Sequence, residues 1–196
     1  NGEGVRLKVN KVSKVAGDKI LHHCSVLEGS VQLGQDLILQ IDTERRLAVQ
    51  RAHSATHLVH KALQTVLGQH VHQAGSLVEA DHLRFDFSHF SPLTEAEIRR
   101  VEYLVNQQTL AGYTVSAEEM SLEAAKEKGA TALFGEKYGN VVRVVSMGDY
   151  SMELCGGTHV ANVGMIGQFR LLAESGIGAG LRRLEAITGE ASYKHA

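Results

Sequence analysis

Two short motifs constrain this chain more than any other feature. His53-Ser54-Ala55-Thr56-His57 lies in the first half and Cys155-Gly156-Gly157-Thr158-His159 in the second half of 196 residues. The first motif sits in a helical pattern, with Ala55, Leu58, Val59, Ala62 and Val66 recurring at helical spacing from Leu47 to about Leu67. At ~100° per residue, His53 and His57 are one turn apart on one face, and His60 shares that face. The apolar residues centre on the opposite side, so the histidines look away from the stripe that packs a generic core. In the second motif a thiol and an imidazole stand four residues apart across two glycines that permit a sharp turn. Three imidazoles and a thiolate suit zinc in a tetrahedron, so one Zn2+ held by His53, His57, Cys155 and His159 is the expectation. His60 competes with His53 as a ligand, since it can pair with His57 at i,i+3. A fold that closes such a site must bring one helix against the end of a strand far along the chain.

The remaining pattern fills in that fold. Residues 1–46 read as short strands (Val5–Val9, Lys19–Leu27, Leu37–Ile41) with turn signals at Ala16-Gly17-Asp18 and Leu33-Gly34-Gln35-Asp36. They suggest a small barrel or meander too short to close unaided. Residues 47–196 then mix helices and strands. Strands are expected at Val71–Val78, Leu83–Phe87, Val141–Met147, Ser151–Leu154, Gln168–Ala173 and Leu181–Ile187, with a short helix at Leu122–Lys128. Thr94 caps a further helix to about Leu110, with Glu97 placed to complete a capping box. Strict βαβ alternation is missing, so the fold class is α+β.

Composition bounds the function. A net charge of −2 disfavours broad, non-specific binding of DNA or RNA but leaves room for a narrow site for one nucleotide end. No apolar run is long enough to span a membrane, and two distant cysteines suggest a reducing, cytoplasmic setting. The other histidines (His22, His23, His70, His72, His82, His89, His195) are scattered and carry no site.

Several further blocks accompany the two motifs in a definite order: Arg51–Leu58, Gln73-Ala74-Gly75-Ser76-Leu77-Val78, Leu83–His89, Ala132–Tyr138, Glu153–His159, Glu174–Ile177 and Arg182–Ala186. Together they resemble the editing domain of alanyl-tRNA synthetase, from about Leu47 to Gly189. Residues 1–46 resemble the later strands of the β-barrel that precedes that domain. Free-standing alanyl-tRNA editing proteins and the threonyl-tRNA synthetase editing domain are related. The resemblance implies a hydrolase that cleaves the ester joining serine or glycine to the 3′ end of tRNA(Ala), working beside the remainder of an ATP-dependent ligase. A chain of this length has no room for an aminoacylation domain, so an excised domain is expected.

The resemblance also selects site residues. It favours His53 over His60 as ligand. Gln73, able both to donate and to accept, becomes the candidate polar group of the catalytic pocket, with Thr56 beside the metal histidines as a second. Gly156 and Gly157 are expected at the bound 3′ end, and one of Arg182 and Arg183 on its phosphate or ribose, the other in a salt bridge. The glycines of Ser175–Gly180 form a loop where backbone amides can approach an anion. HxxxH here lacks the glutamate of HExxH proteases, so that family's base is missing. Four protein ligands also close a tetrahedron, whereas catalytic zinc keeps a position open. Either one ligand yields, or the metal orients substrate while water is activated elsewhere. The rival reading is a structural zinc module that binds RNA or protein without chemistry; another is an editing hydrolase for a different charged tRNA.

Overall fold

The computed structural model describes residues 4–17, 19–132 and 138–195. Contacts divide the chain into two units, Asn1–Asp42 and Thr43–Ala196. The first unit is an antiparallel hairpin of β1 (Arg6–Val15) and β2 (Lys19–Glu28). The third strand expected at Leu37–Ile41 does not form. A strand needs a neighbour for its backbone groups, and the sheet here contains only β1 and β2.

The second unit is α+β. It begins with α1 (Thr43–Leu67), four residues earlier than the apolar pattern implied, because Glu44, Arg45 and Arg46 form an exposed first turn. Then follow β3 (Gln73–Val78), β4 (Leu83–Ser88), α2 (Glu95–Ala111), β5 (Val115–Ser121), α3 (Leu122–Glu127), β6 (Val141–Met147), β7 (Ser151–Leu154), β8 (Phe169–Gly178), β9 (Leu181–Thr188) and α4 (Gly189–Lys194). One antiparallel sheet has the order β3-β4-β9-β8 and a second the order β5-β6-β7. The capping box of α2 is present, with Thr94 Oγ1 accepting from the Glu97 N–H and the Glu97 carboxylate accepting from the Thr94 N–H.

Helix α1 holds the unit together. It touches β3, β4 and β9 of the first sheet, β7 of the second, and α2. Its apolar residues Ala55, Leu58, Val59, Ala62 and Leu63 join Phe85, Phe87, Val101, Val105, Phe169 and Leu184 in one core, every one of them fully buried. The face carrying the histidines is covered as well: His57 is 7% and His60 2% exposed. The expectation of one buried stripe therefore understates the helix, which is enclosed on both sides from Ser54 to His60.

Other described segments differ from the expected elements. β5 was absent from the sequence reading, because Ser116, Glu118 and Glu119 give it little apolar character, yet it pairs along its whole length with β6. Ser175–Gly178 is strand, not loop: β8 runs on to Gly178 and leaves only Ala179-Gly180 as the turn into β9. Residues 133–137, the centre of the Ala132–Tyr138 block, lie outside the described residues, as does Asp18.

Candidate metal centre

The centre forms where the middle of α1 meets the end of β7. His53 and His57 project from α1, and the strand delivers Cys155 just past Leu154. The chain then turns through Gly156-Gly157-Thr158 and returns His159 to the same place. His159 Nε2 lies 3.3 Å and His53 Nε2 3.5 Å from Cys155 Sγ. The imidazole centroids are 5.4 Å (His53–His57), 4.3 Å (His53–His159) and 4.9 Å (His57–His159) apart. One ligand atom from each of the four residues lies within 4.8 Å of every other. Zinc with bonds of about 2.0–2.3 Å in a tetrahedron separates its ligand atoms by roughly 3.3–3.8 Å. The two sulfur–nitrogen distances fall in that interval.

Neighbouring groups hold each donor in place. Arg143 on β6 donates to the carbonyls of Cys155 and Gly157, both at 2.8 Å, and clamps the turn. The Gly157 N–H points at Cys155 Sγ, 3.5 Å away. Ser54 Oγ accepts the Val160 N–H at 3.1 Å and lies 3.4 Å from His159 Nδ1, which leaves His159 Nε2 facing the thiol. Gly157 is required by proximity, not by backbone conformation. Its φ is not positive, but a Cβ there would fall on the His53 ring. Gly156 faces open space.

Glu153 is the residue that sequence reasoning missed. Its carboxylate, buried on β7, bonds to His57 Nδ1 through one oxygen and to His60 Nδ1, 2.6 Å away, through the other. Burial opposes ionisation of Glu153, yet the hydrogen bonds from His57 and His60 outweigh it and bring the carboxyl to about 2. Burial pushes the Cys155 thiol up, but hydrogen bonds from His159, His53 and His57 hold it at about 3. Burial alone would lower His57, but its bonds to Cys155 and Glu153 raise it to about 9. His159 is lowered, first by burial. One sulfur and three imidazoles gathered in this way are the donor set of a zinc site. His57 Nε2 gives a second sign: it is buried and faces the Cys155 sulfur, with no oxygen or nitrogen partner. A bound metal ion would complete it. His60, the rival ligand, is not part of the group; its nitrogens go to Glu153, Gln64 and Val71.

The other candidates sit as follows. Thr56 is 4% exposed, and its hydroxyl donates to the His53 carbonyl at 2.7 Å. Gln73 opens β3, half-buried and opposite Phe87, two residues beyond the Val71 carbonyl that Gln64 contacts. Arg183 makes a two-pronged bond to Asp86 at 2.7 and 2.8 Å. Arg182 donates to Glu174 at 2.5 Å. Each arginine thus makes an ion pair within the protein, where a salt bridge was expected of one. Their carboxylate partners explain the Asp86 and Glu174 of the matched blocks.

Residues 142–185 match the model of the threonyl and alanyl tRNA synthetase second additional domain. Over nearly the whole chain, alanine–tRNA ligases are similar. That of Acetivibrio thermocellus is 53% identical over 98% of this chain, that of Desulfitobacterium hafniense 55% over 96%, and that of Hydrogenovibrio crunogenus 56% over 91%. The chain is a relative of the editing domain of alanyl-tRNA synthetase. It spans about a fifth of those ligases, 22%, 22% and 21% of their lengths. Among the described residues no helix is long and apolar enough to cross a membrane.

Proposed function

We propose that this chain binds one zinc ion through His53, His57, Cys155 and His159 and hydrolyses the ester of mischarged tRNA(Ala), removing serine or glycine from its 3′ end. One observation carries the reading: four metal-ligand atoms within 4.8 Å of one another, in a chain similar to alanine–tRNA ligases over nearly all its length. Residues 47–196 are the editing domain in this proposal, and 1–46 the end of the preceding barrel, with the remainder of a synthetase as partner and the cytoplasm as setting. Bound zinc would supply a hydroxide near neutral pH, a polarised carbonyl, or a fixed anchor for the terminal adenosine.

The chain's own residues would do the rest. Gly156 and Gly157 let the tRNA end approach the centre. Thr56 has spent its hydroxyl proton on the His53 carbonyl, so lone pairs remain to accept the hydroxyl of a seryl group. Gln73 can donate to that hydroxyl or accept from it. Selectivity follows from these groups. A cavity that only excludes size cannot favour serine over the smaller alanine. One that hydrogen-bonds the hydroxyl can, by about 10⁴-fold or more, because alanine leaves its polar groups unpaired. Glycine needs a methyl-excluding wall instead.

The test is deacylation of Ser-, Gly- and Ala-tRNA(Ala) with and without a chelator. Serine and glycine should be released, alanine retained, and the chelator should stop the reaction. The four-donor set also favours a second reading, a closed structural zinc site without catalysis. Release no faster than in buffer, with zinc bound, would select it.

A further inference from the structure

We propose that Glu153 sets the direction of the metal centre: it fixes the His57 tautomer, with His60 as its second anchor and not a ligand. This rests on the reading of the four donor residues as a zinc site. The argument is one of hydrogen-bond bookkeeping along a buried chain of groups. A buried carboxylate is costly unless its oxygens are paired. Here each oxygen takes one imidazole Nδ1. A neutral imidazole donates from one nitrogen and accepts at the other. Donation from Nδ1 therefore leaves Nε2 as a lone pair on both rings.

The two lone pairs meet different fates. His60 Nε2 lies 3.2 Å from Gln64 Nε2, an amide donor that also serves the Val71 carbonyl at 3.1 Å. Its demand is met inside the protein. His57 Nε2 is buried and directed into the group formed with His53, Cys155 and His159, where the Cys155 sulfur is its neighbour. With both rings neutral, the chain is satisfied when Gln64 donates to His60, both imidazoles donate to Glu153, and His57 presents a lone pair for the metal. Carboxylate partners of this kind orient a ligating histidine and raise its basicity.

Glu153→Gln separates these roles from simple packing. It keeps the volume but offers one acceptor oxygen and one amide donor. One of the two histidines then faces a donor and must reverse its tautomer. Zinc dissociation constants measured on the full chain against a competing chelator should rise about 10- to 100-fold in Glu153→Gln. His60→Asn should lose less, since His57 keeps its carboxylate. Equal affinity in wild type and Glu153→Gln overturns the proposal, and so does a zinc loss in His60→Asn as large as in His57→Ala. The wild-type protein supplies a reading that needs no variant to fold. With 15N-labelled histidine and zinc bound, His57 and His60 should both be protonated at Nδ1, with His57 Nε2 shifted by the metal. A proton on His57 Nε2 refutes the assignment. Wild type that takes up no zinc removes the metal reading beneath it; wild type that holds zinc with the wrong tautomer removes Glu153 alone. Neither measurement depends on deacylation.

Discussion

Gly157→Ala should loosen the metal centre, while Gly156→Ala should leave it alone. A Cβ at Gly157 would lie 2.6 Å from His53 Nδ1 and 3.3 Å from Nε2, whereas ordinary contact begins at 3.4 Å. The ring must therefore retreat by roughly 0.8 Å at Nδ1, several times the ±0.2 Å that metal–ligand distances tolerate. The turn cannot yield instead without breaking the two 2.8 Å bonds from Arg143 to the carbonyls of Cys155 and Gly157. Overpacking of this kind costs about 1–3 kcal/mol. If His53 is the part that moves, the cost falls on zinc affinity: a 10-fold or greater weakening corresponds to about 1.4 kcal/mol or more. At Gly156 a Cβ meets nothing within 4 Å, and neither glycine has a positive φ, so backbone strain cannot mimic the effect. Chelator competition on the two variants reads the difference directly. Equal zinc affinity in Gly157→Ala and Gly156→Ala would refute the reasoning, because it would mean that His53 is not held against this turn.

The remaining predictions address the ligands, the fold and the pocket. Cys155→Ala and His57→Ala should each lower zinc content below the one ion per chain expected of wild type by elemental analysis. Thr94→Ala removes the hydroxyl that accepts the Glu97 N–H, leaving only the backbone half of the capping box, and should cost about 1 kcal/mol in urea unfolding. Asp86, whose carboxyl Arg183 holds below the usual carboxylate range, contributes stability present above the unfolded value of about 3.9 and lost as pH falls through its lower folded value. Asp86→Asn should thus cost about 1–2 kcal/mol at pH 7, and the gap to wild type should shrink in melts taken below about pH 4; a gap constant with pH would rule the ion pair out. Gln73→Leu should slow Ser-tRNA(Ala) hydrolysis with zinc retained, and an unchanged rate would leave Thr56 as the hydroxyl-sensing group.

What the sequence made legible follows from how local each signal is. The helix of His53 and His57, the capping box at Thr94 and Glu97, and strands such as Leu83–Ser88 are written in periodicity and capping chemistry, which act over a few residues. The two halves of the metal centre were legible for the same reason, since each is a short motif. β5 was not, because Glu118 and Glu119 lie in it and its strand character comes from pairing with β6. The segment Leu37–Ile41 failed in the opposite direction: apolar residues alone do not make a strand, and among the described residues this segment pairs with neither edge of the β1–β2 hairpin. The pairing of Arg182 with Glu174 on β8 and of Arg183 with Asp86 on β4 was not legible, because strand pairing alone brings those residues together.

Glu153 was hidden for a more general reason. In sequence it is one polar residue in the short strand Ser151–Leu154, where an acidic side chain alternating with Met152 and Leu154 reads as solvent-facing. Its partners lie 96 and 93 residues away, on a helix whose histidine face gave no sign of being covered. The metal motif did contain the missing clue. A neutral histidine that gives one nitrogen to a metal has a proton on the other, and in a buried site that proton must be accepted by something. Three histidines therefore demand up to three acceptors, and Ser54 and Glu153 answer for two of them. Glu153, two residues before Cys155 on the strand that delivers the thiol, is the carboxylate that the second motif itself carries to the helix for that purpose.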